Sequence, residues 1–290
     1  MNFQHDLAEM TKSMIQSEGI KIPPDWGDSR VVIKYLELHH RWFDSSAPYL
    51  VVYSKELWKK LRFLSQDEQQ ALEDIERRLA SCQTIVPYLS KDIRKISTKK
   101  SDFLLKNWDI YHLHLEQNIE GKKRKNPNLL FFQTKGQVVH MIDIKKHPSG
   151  PSWFDRDLLE IIFDNWPWLL KYQSKIKPIG KIDDSKMHKA LQNMVVGIPF
   201  HGGMLFPTTM GVSSSGDSSY AVRVTFNIFN QLRQWEIHLK ENEEAYKKEI
   251  INTMSMRIDK ELDYKLIIEE GYFVAYEIHT QAKIKLFKTM

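Results

Sequence analysis

One cysteine, Cys82, occurs in the 290 residues. No intrachain disulfide can form, and zinc sites built on two or four cysteines are excluded. A reducing compartment fits best, so a cytoplasmic location is the expectation. The roughly 18 consecutive apolar residues needed by a membrane-crossing helix occur nowhere, and no membrane partner is expected. The amino terminus, MNFQHDLAEMTKSMIQ, mixes acids into an amphipathic pattern and lacks the basic patch and apolar centre of a signal peptide. Gly202, Gly203, Gly211 and Gly216 fit neither G-x-G-x-x-G nor the G-x-x-x-x-G-K-[ST] phosphate loop. Ser214, in the run V-S-S-S-G, has Val212 where the G-x-S-x-G elbow needs its first glycine, which removes support for a serine hydrolase. No cofactor is expected, and no internal repeat or low-complexity tract is visible.

Apolar residues make up 42% of the chain, with eight tryptophans among them, while 27% of residues are charged. That balance supports buried cores and argues against disorder. Single cores stop growing at roughly 250 to 300 residues, so two units are expected. The formal net charge is +5 with a pI near 9.0, part of the profile of a nucleic-acid binder but not proof of one. Clustering sharpens it: Lys91, Arg94, Lys95, Lys99 and Lys100 form one group, and Lys122, Lys123, Arg124 and Lys125 another.

Along the chain, Phe3, Leu7, Met10, Met14 and Ile15 recur at helical spacing until Gly19. A connector with Pro23, Pro24 and Gly27 follows, then a short helical pattern over 30–43. Tyr49 to Tyr53 reads as a strand, Ser54 as the cap of a helix from Lys55, and Ser65 with Glu68 as a capping box before Ala71, Leu72, Ile75 and Leu79. Three strands are predicted at 108–116, 128–133 and 137–145, the last two joined at Thr134, Lys135 and Gly136. A helix is predicted over 153–168, closed by Pro167. A boundary is expected at 178–184, then a Gly- and Ser-rich segment, a long helix near 220–256 and two strands at 264–268 and 272–279. The expected division is a helical lead-in (1–47), an α+β domain (48–172) and a carboxy-terminal α+β unit (185–290) for interaction or regulation.

Side chains two apart on a strand share a face, so His112 and His114 point one way while Tyr111, Leu113 and Leu115 point to a core. Two imidazoles on an exposed sheet face, with cations nearby, meet the needs of phosphodiester cleavage: a proton acceptor, a proton donor and charge for the phosphorane. His140 and the run Asp143, Ile144, Lys145, Lys146 and His147 lie on a strand that could converge on the same end. A metal reading competes, because His112, His114 and Glu116 would share a face with Asp143 or His140 to complete a set; the spacing is not that of a cupin-type motif.

The order YLVVYSKELWKKL, LSQDEQQALEDIERRL, WDIYHLHL, NLLFFQTKG and QVVHMIDIKKH resembles the RelE/ParE-like toxin superfamily, especially its HigB-type branch. These are small mRNA-cleaving or gyrase-directed toxins with a strand, two helices and a curled sheet of three further strands. The resemblance covers about 100 residues. It implies an α+β, RelE-like core in which Lys145, Lys146 and His147 are catalytic or phosphate-contacting groups, with Arg124 the nearest counterpart of the family's middle-strand arginine. Arg124 stands before that strand, a departure from the pattern. The combined expectation is a metal-independent ribonuclease of toxin or phage-defence type. His112 and His114 would exchange protons, and Lys95, Lys122, Lys123 and Arg124 would hold RNA, ribosome-associated RNA included. An antitoxin or another protein would bind the carboxy-terminal unit. The alternatives are a non-catalytic nucleic-acid- or protein-binding regulator, and a metal-dependent enzyme at the H-x-H strand.

Overall fold

The computed structural model describes residues 1–41, 43, 47–90, 102–119, 122, 124–147, 155–177, 197–209, 211–213, 215–255, 258 and 260–289. The expected boundary at 178–184, together with Lys95, Lys123 and Ser214, lies outside the described residues. Within them the fold is mixed α+β, and the chain divides into two compact units, 36–221 and 1–35 with 222–290.

In the larger unit, a run of β-branched and aromatic residues forms β1 (Leu50–Tyr53) and stops at Ser54. The Ser54 hydroxyl accepts the Leu57 amide, capping α3 (Lys55–Lys60) as the sequence predicts, and donates to the Ile142 carbonyl at 2.6 Å. A 3₁₀ turn, Leu61–Phe63, leads to α4 (Gln66–Ala80), whose capping box between Ser65 and Glu68 is present.

The three predicted strands are β2 (Ile110–His114), β3 (Asn128–Lys135) and β4 (Val138–Lys146). β2 starts after Trp108 because that residue closes a short helix, α5 (Phe103–Trp108), which Asp109 ends in the left-handed region at φ 60°. Between β3 and β4 the turn uses Gly136 at φ +58°, a conformation that costs glycine little. The sheet order is β1-β4-β3-β2, with β1 parallel to β4 and the other pairs antiparallel. Consequently His114 pairs with Leu129, and Leu129 with Lys145.

Apolar residues cover both faces of this sheet. Tyr111, Leu113 and Leu115 pack with Leu72, Ile75 and Leu79 of α4, as their parity predicts. On the other face, Ile110, Leu129, Phe131 and Ile142 pack with Leu158, Leu159 and Ile162 of α6 (Arg156–Asn165). This corrects the expectation that His112 and His114 occupy an exposed face. Their cross-strand neighbours Phe131 and Leu129 are apolar and need cover, and α6 provides it. The small sheet β5 (Lys171–Gln173), β6 (Ile198–Phe200) and β7 (Gly203–Phe206) adds Ile198, Phe200 and Leu205 to that second core. Residues 198–206, expected in the carboxy-terminal unit, therefore belong to the larger one.

The smaller unit joins the two ends of the chain. Here α1 (Phe3–Ser17) is the predicted amino-terminal helix, and Asp6 accepts the Leu266 amide of β8 (Tyr264–Glu269) at 2.9 Å. That contact, with the Phe3 amide donating to Glu236, is why the lead-in is not a separate segment. The division at 35 falls inside α2 (Asp28–Arg41). The long helix expected over 220–256 is two helices, α7 (Ser219–Glu241) and α8 (Glu243–Met254), interrupted at Asn242. The two expected strands, β8 and β9 (Tyr272–Glu277), are joined by a third, β10 (Lys283–Lys288), in the order β10-β9-β8.

Candidate active site

Asp102 is the N-cap of α5, and its carboxylate accepts the Leu105 amide at 3.1 Å. A second contact extends from the same carboxylate: Oδ2 lies 3.3 Å from Nδ1 of His112. Burial alone would raise the Asp102 pKa, but the His112 charge and contact, the Leu105 amide and Arg41 together hold it below the usual carboxylate range. An anion thus stands within ion-pair distance of one nitrogen of a strand imidazole, an arrangement related to those of acid–base sites. Both side chains are only partly exposed, 18% for His112 and 23% for Asp102.

Further along β2, His114 meets His147 just beyond β4, ring centroids 6.3 Å apart and nearly parallel at 27°. Burial, then the charges of Arg124, His112 and His147, push the His114 pKa down from 6.5 to about 3. At neutral pH this ring is uncharged and cannot serve as the proton donor. His147 is exposed, and its amide donates to Pro127 at 2.7 Å, fixing the end of the strand. Lys146 is exposed beside it. His112, His114, Lys146 and His147 therefore gather toward one end of the sheet.

Other expected site residues have different employment. Lys145 donates to both carboxylate oxygens of Asp155, at 2.8 and 2.9 Å, and to Asp157 at 3.1 Å, contacts that outweigh burial and raise its pKa. Asp155 is also the N-cap of α6, so Lys145 pins that helix over the second core. Arg124 is half-buried and donates to the carbonyls of Pro87 and Leu89 at 2.9 and 2.7 Å. Burial lowers its pKa while Glu116 opposes the shift. Its Nε has no hydrogen-bond partner among the described residues. Lys122 is exposed on the loop between β2 and β3.

The H-x-H-x-E set does not assemble. Glu116 accepts the amides of Lys125 and Asn126 at 2.6 and 2.8 Å, which orders the β2–β3 loop. Among the described residues no group of three or more His, Cys, Asp or Glu side chains has the arrangement of a metal site. His140, a candidate fourth histidine, is buried with its ring 4.9 Å from that of Trp166. It pairs with Gln133, which pairs with Ile110, so it sits toward the opposite end of the sheet from His114.

Asp102 is the functional candidate that sequence reasoning missed. Its local signal is an Asp before the apolar turn Phe103, Leu104 and Leu105, a recognisable N-cap. No family model, curated protein or solved structure matches the chain.

Proposed function

We propose that the chain is a ribonuclease that cleaves RNA by histidine acid–base chemistry, with His112 as base and His147 as acid. The observation that carries this reading is the Asp102–His112 contact beside the His114–His147 pair. With Nδ1 facing the carboxylate, proton exchange falls to Nε2 of His112. That nitrogen takes the 2′-hydroxyl proton as O2′ attacks phosphorus. The phosphorus–O5′ bond breaks, and His147 protonates the departing oxygen, leaving a cyclic phosphate and a 5′-hydroxyl. Neutral His114 offers a hydrogen bond between them. The toxin-like reading draws support from the element order, a strand, a helix pair, a further short helix and three antiparallel strands, with the first strand beside the last.

His112→Ala and His147→Ala should each slow RNA cleavage by a factor on the order of 10² to 10⁴, and Asp102→Asn should slow it with RNA affinity retained. Cleavage at the wild-type rate in the double histidine variant would remove this site. Activity lost with chelator and restored by zinc or manganese would transfer the reading to a metal-dependent enzyme. The second reading is a non-catalytic RNA-binding role; the internal pairing of Lys145 and Arg124 points away from catalysis, because it withdraws two cations from a reacting phosphate. Tight RNA binding without any cleavage would establish that second reading.

A further inference from the structure

Between β1 and α4 the chain reads Lys55, Glu56, Leu57, Trp58, Lys59, Lys60, Leu61, Arg62, Phe63, Leu64. Its leucines point inward: Leu57 is fully buried, and Leu61 and Leu64 pack against the first core. Outward stand the two most exposed large aromatics among the described residues, Trp58 at 67% and Phe63 at 74%. Lys55, Lys59 and Arg62 are exposed among them. The segment is held in place, because Lys60 donates to both oxygens of buried Asp143 at 2.7 and 2.8 Å. Arg62 lies 4.7 Å over the Phe63 ring, and Tyr53 meets Trp58 edge to face at 6.1 Å.

Large aromatics are ordinarily placed where their surface can be covered. Here they are displayed on a braced turn and interleaved with cations, and the only carboxylate of the segment, Glu56, is occupied by Asn165 at 2.7 Å. Rings that offer a face to any base, beside cations that meet a backbone, are how proteins hold single strands without reading sequence. We infer that the Trp58–Phe63 face is a stacking platform for a single-stranded polynucleotide, with Lys55, Lys59 and Arg62 on its phosphates. The inference deepens the ribonuclease reading by naming where the strand is held, yet it uses none of the histidines.

The test is fluorescence anisotropy of a short, labelled, 2′-O-methyl single-stranded RNA, which cannot be cleaved through its 2′-oxygen, with the full chain. Trp58→Ala with Phe63→Ala should weaken binding roughly tenfold or more. Lys59→Glu with Arg62→Glu should flatten the salt dependence. A duplex of the same sequence, whose bases are already stacked, should bind distinctly less well. Circular dichroism should show each variant folded, since every substituted side chain is exposed. Unchanged affinity in the aromatic variant, equal binding of duplex and single strand, or capture of phosphatidylglycerol vesicles in place of RNA would each overturn the platform. The two readings separate cleanly. Normal cleavage and affinity in the aromatic variant sinks the platform alone, whereas strands held through Trp58 and Phe63 but never cut sink the nuclease alone.

Discussion

His112 and His114 are alternate residues of one strand, yet one touches a carboxylate while the other lies near Arg124, His112 and His147. For His114 the consequence can be measured as stability. As pH falls below 6.5 an unfolded chain takes up a proton on this ring, whereas the folded chain does so only near pH 3. Between those values the unfolded state binds more protons, so stability should fall as the solution is acidified through this window and be fully present above it. His140, also lowered by burial, contributes in the same direction. His114→Gln should therefore lose less stability than wild type between pH 7 and pH 4, read from urea midpoints; identical pH dependence in the two proteins would refute the assignment. Strand parity made the shared face of the two histidines legible beforehand. The acidic partner of His112 and the carboxylates around Lys145 were not, because Asp102 and Asp155 reach them only after α5 and α6 are placed.

At the scale of elements, punctuation was the most readable part of the chain. Ser54, the Ser65–Glu68 box and Gly136 act locally, so their chemistry does not depend on the rest of the fold. Glu68 shows where locality stops. One oxygen closes the capping box, while the other accepts Asn126 and Asn128 at 3.2 and 2.5 Å and so ties α4 to the start of β3. Burial would raise its pKa, but these hydrogen bonds, Asn128 foremost, hold it down. Ser65→Ala should cost about 1 kcal/mol. Because Asn128→Ala acts on the same carboxylate, the double variant should depart from additivity by roughly 0.5 kcal/mol or more. Strictly additive denaturation free energies would mean that the cap and the strand link are independent. The face of β2 is not legible from β2 alone for a related reason: Leu129, Leu130, Phe131 and Phe132 run apolar through β3, the pattern of a strand buried on both sides. Apolar Phe131 and Leu129, opposite His112 and His114, are the signal of cover over the histidines.

For the whole molecule, sequence distance misleads most. Composition and connector signals suggested that the chain divides in order, yet residues 1–35 and 222–290 form one unit. An amphipathic helix shows that it has an apolar side, not which sheet will cover it, and α1 finds its partner at the far end of the chain. Phe3, Leu7, Ala8 and Ile15 are buried on it, and Gln4 donates to the Phe229 carbonyl at 3.2 Å while Asp6 accepts the Leu266 amide. Removing residues 1–17 deletes that apolar side and leaves the Leu266 amide without its acceptor. Each large side chain removed from a core costs roughly 2 to 5 kcal/mol, so the loss exceeds what a unit of this size can absorb. Hydrogen exchange of the truncated chain should show protection lost across β8, β9 and β10 and retained in β2, β3 and β4, whose cores contain no residue of α1. Retained protection in β8 would mean that the carboxy-terminal sheet folds without its helix. Loss across both sheets would mean that the two units unfold as one.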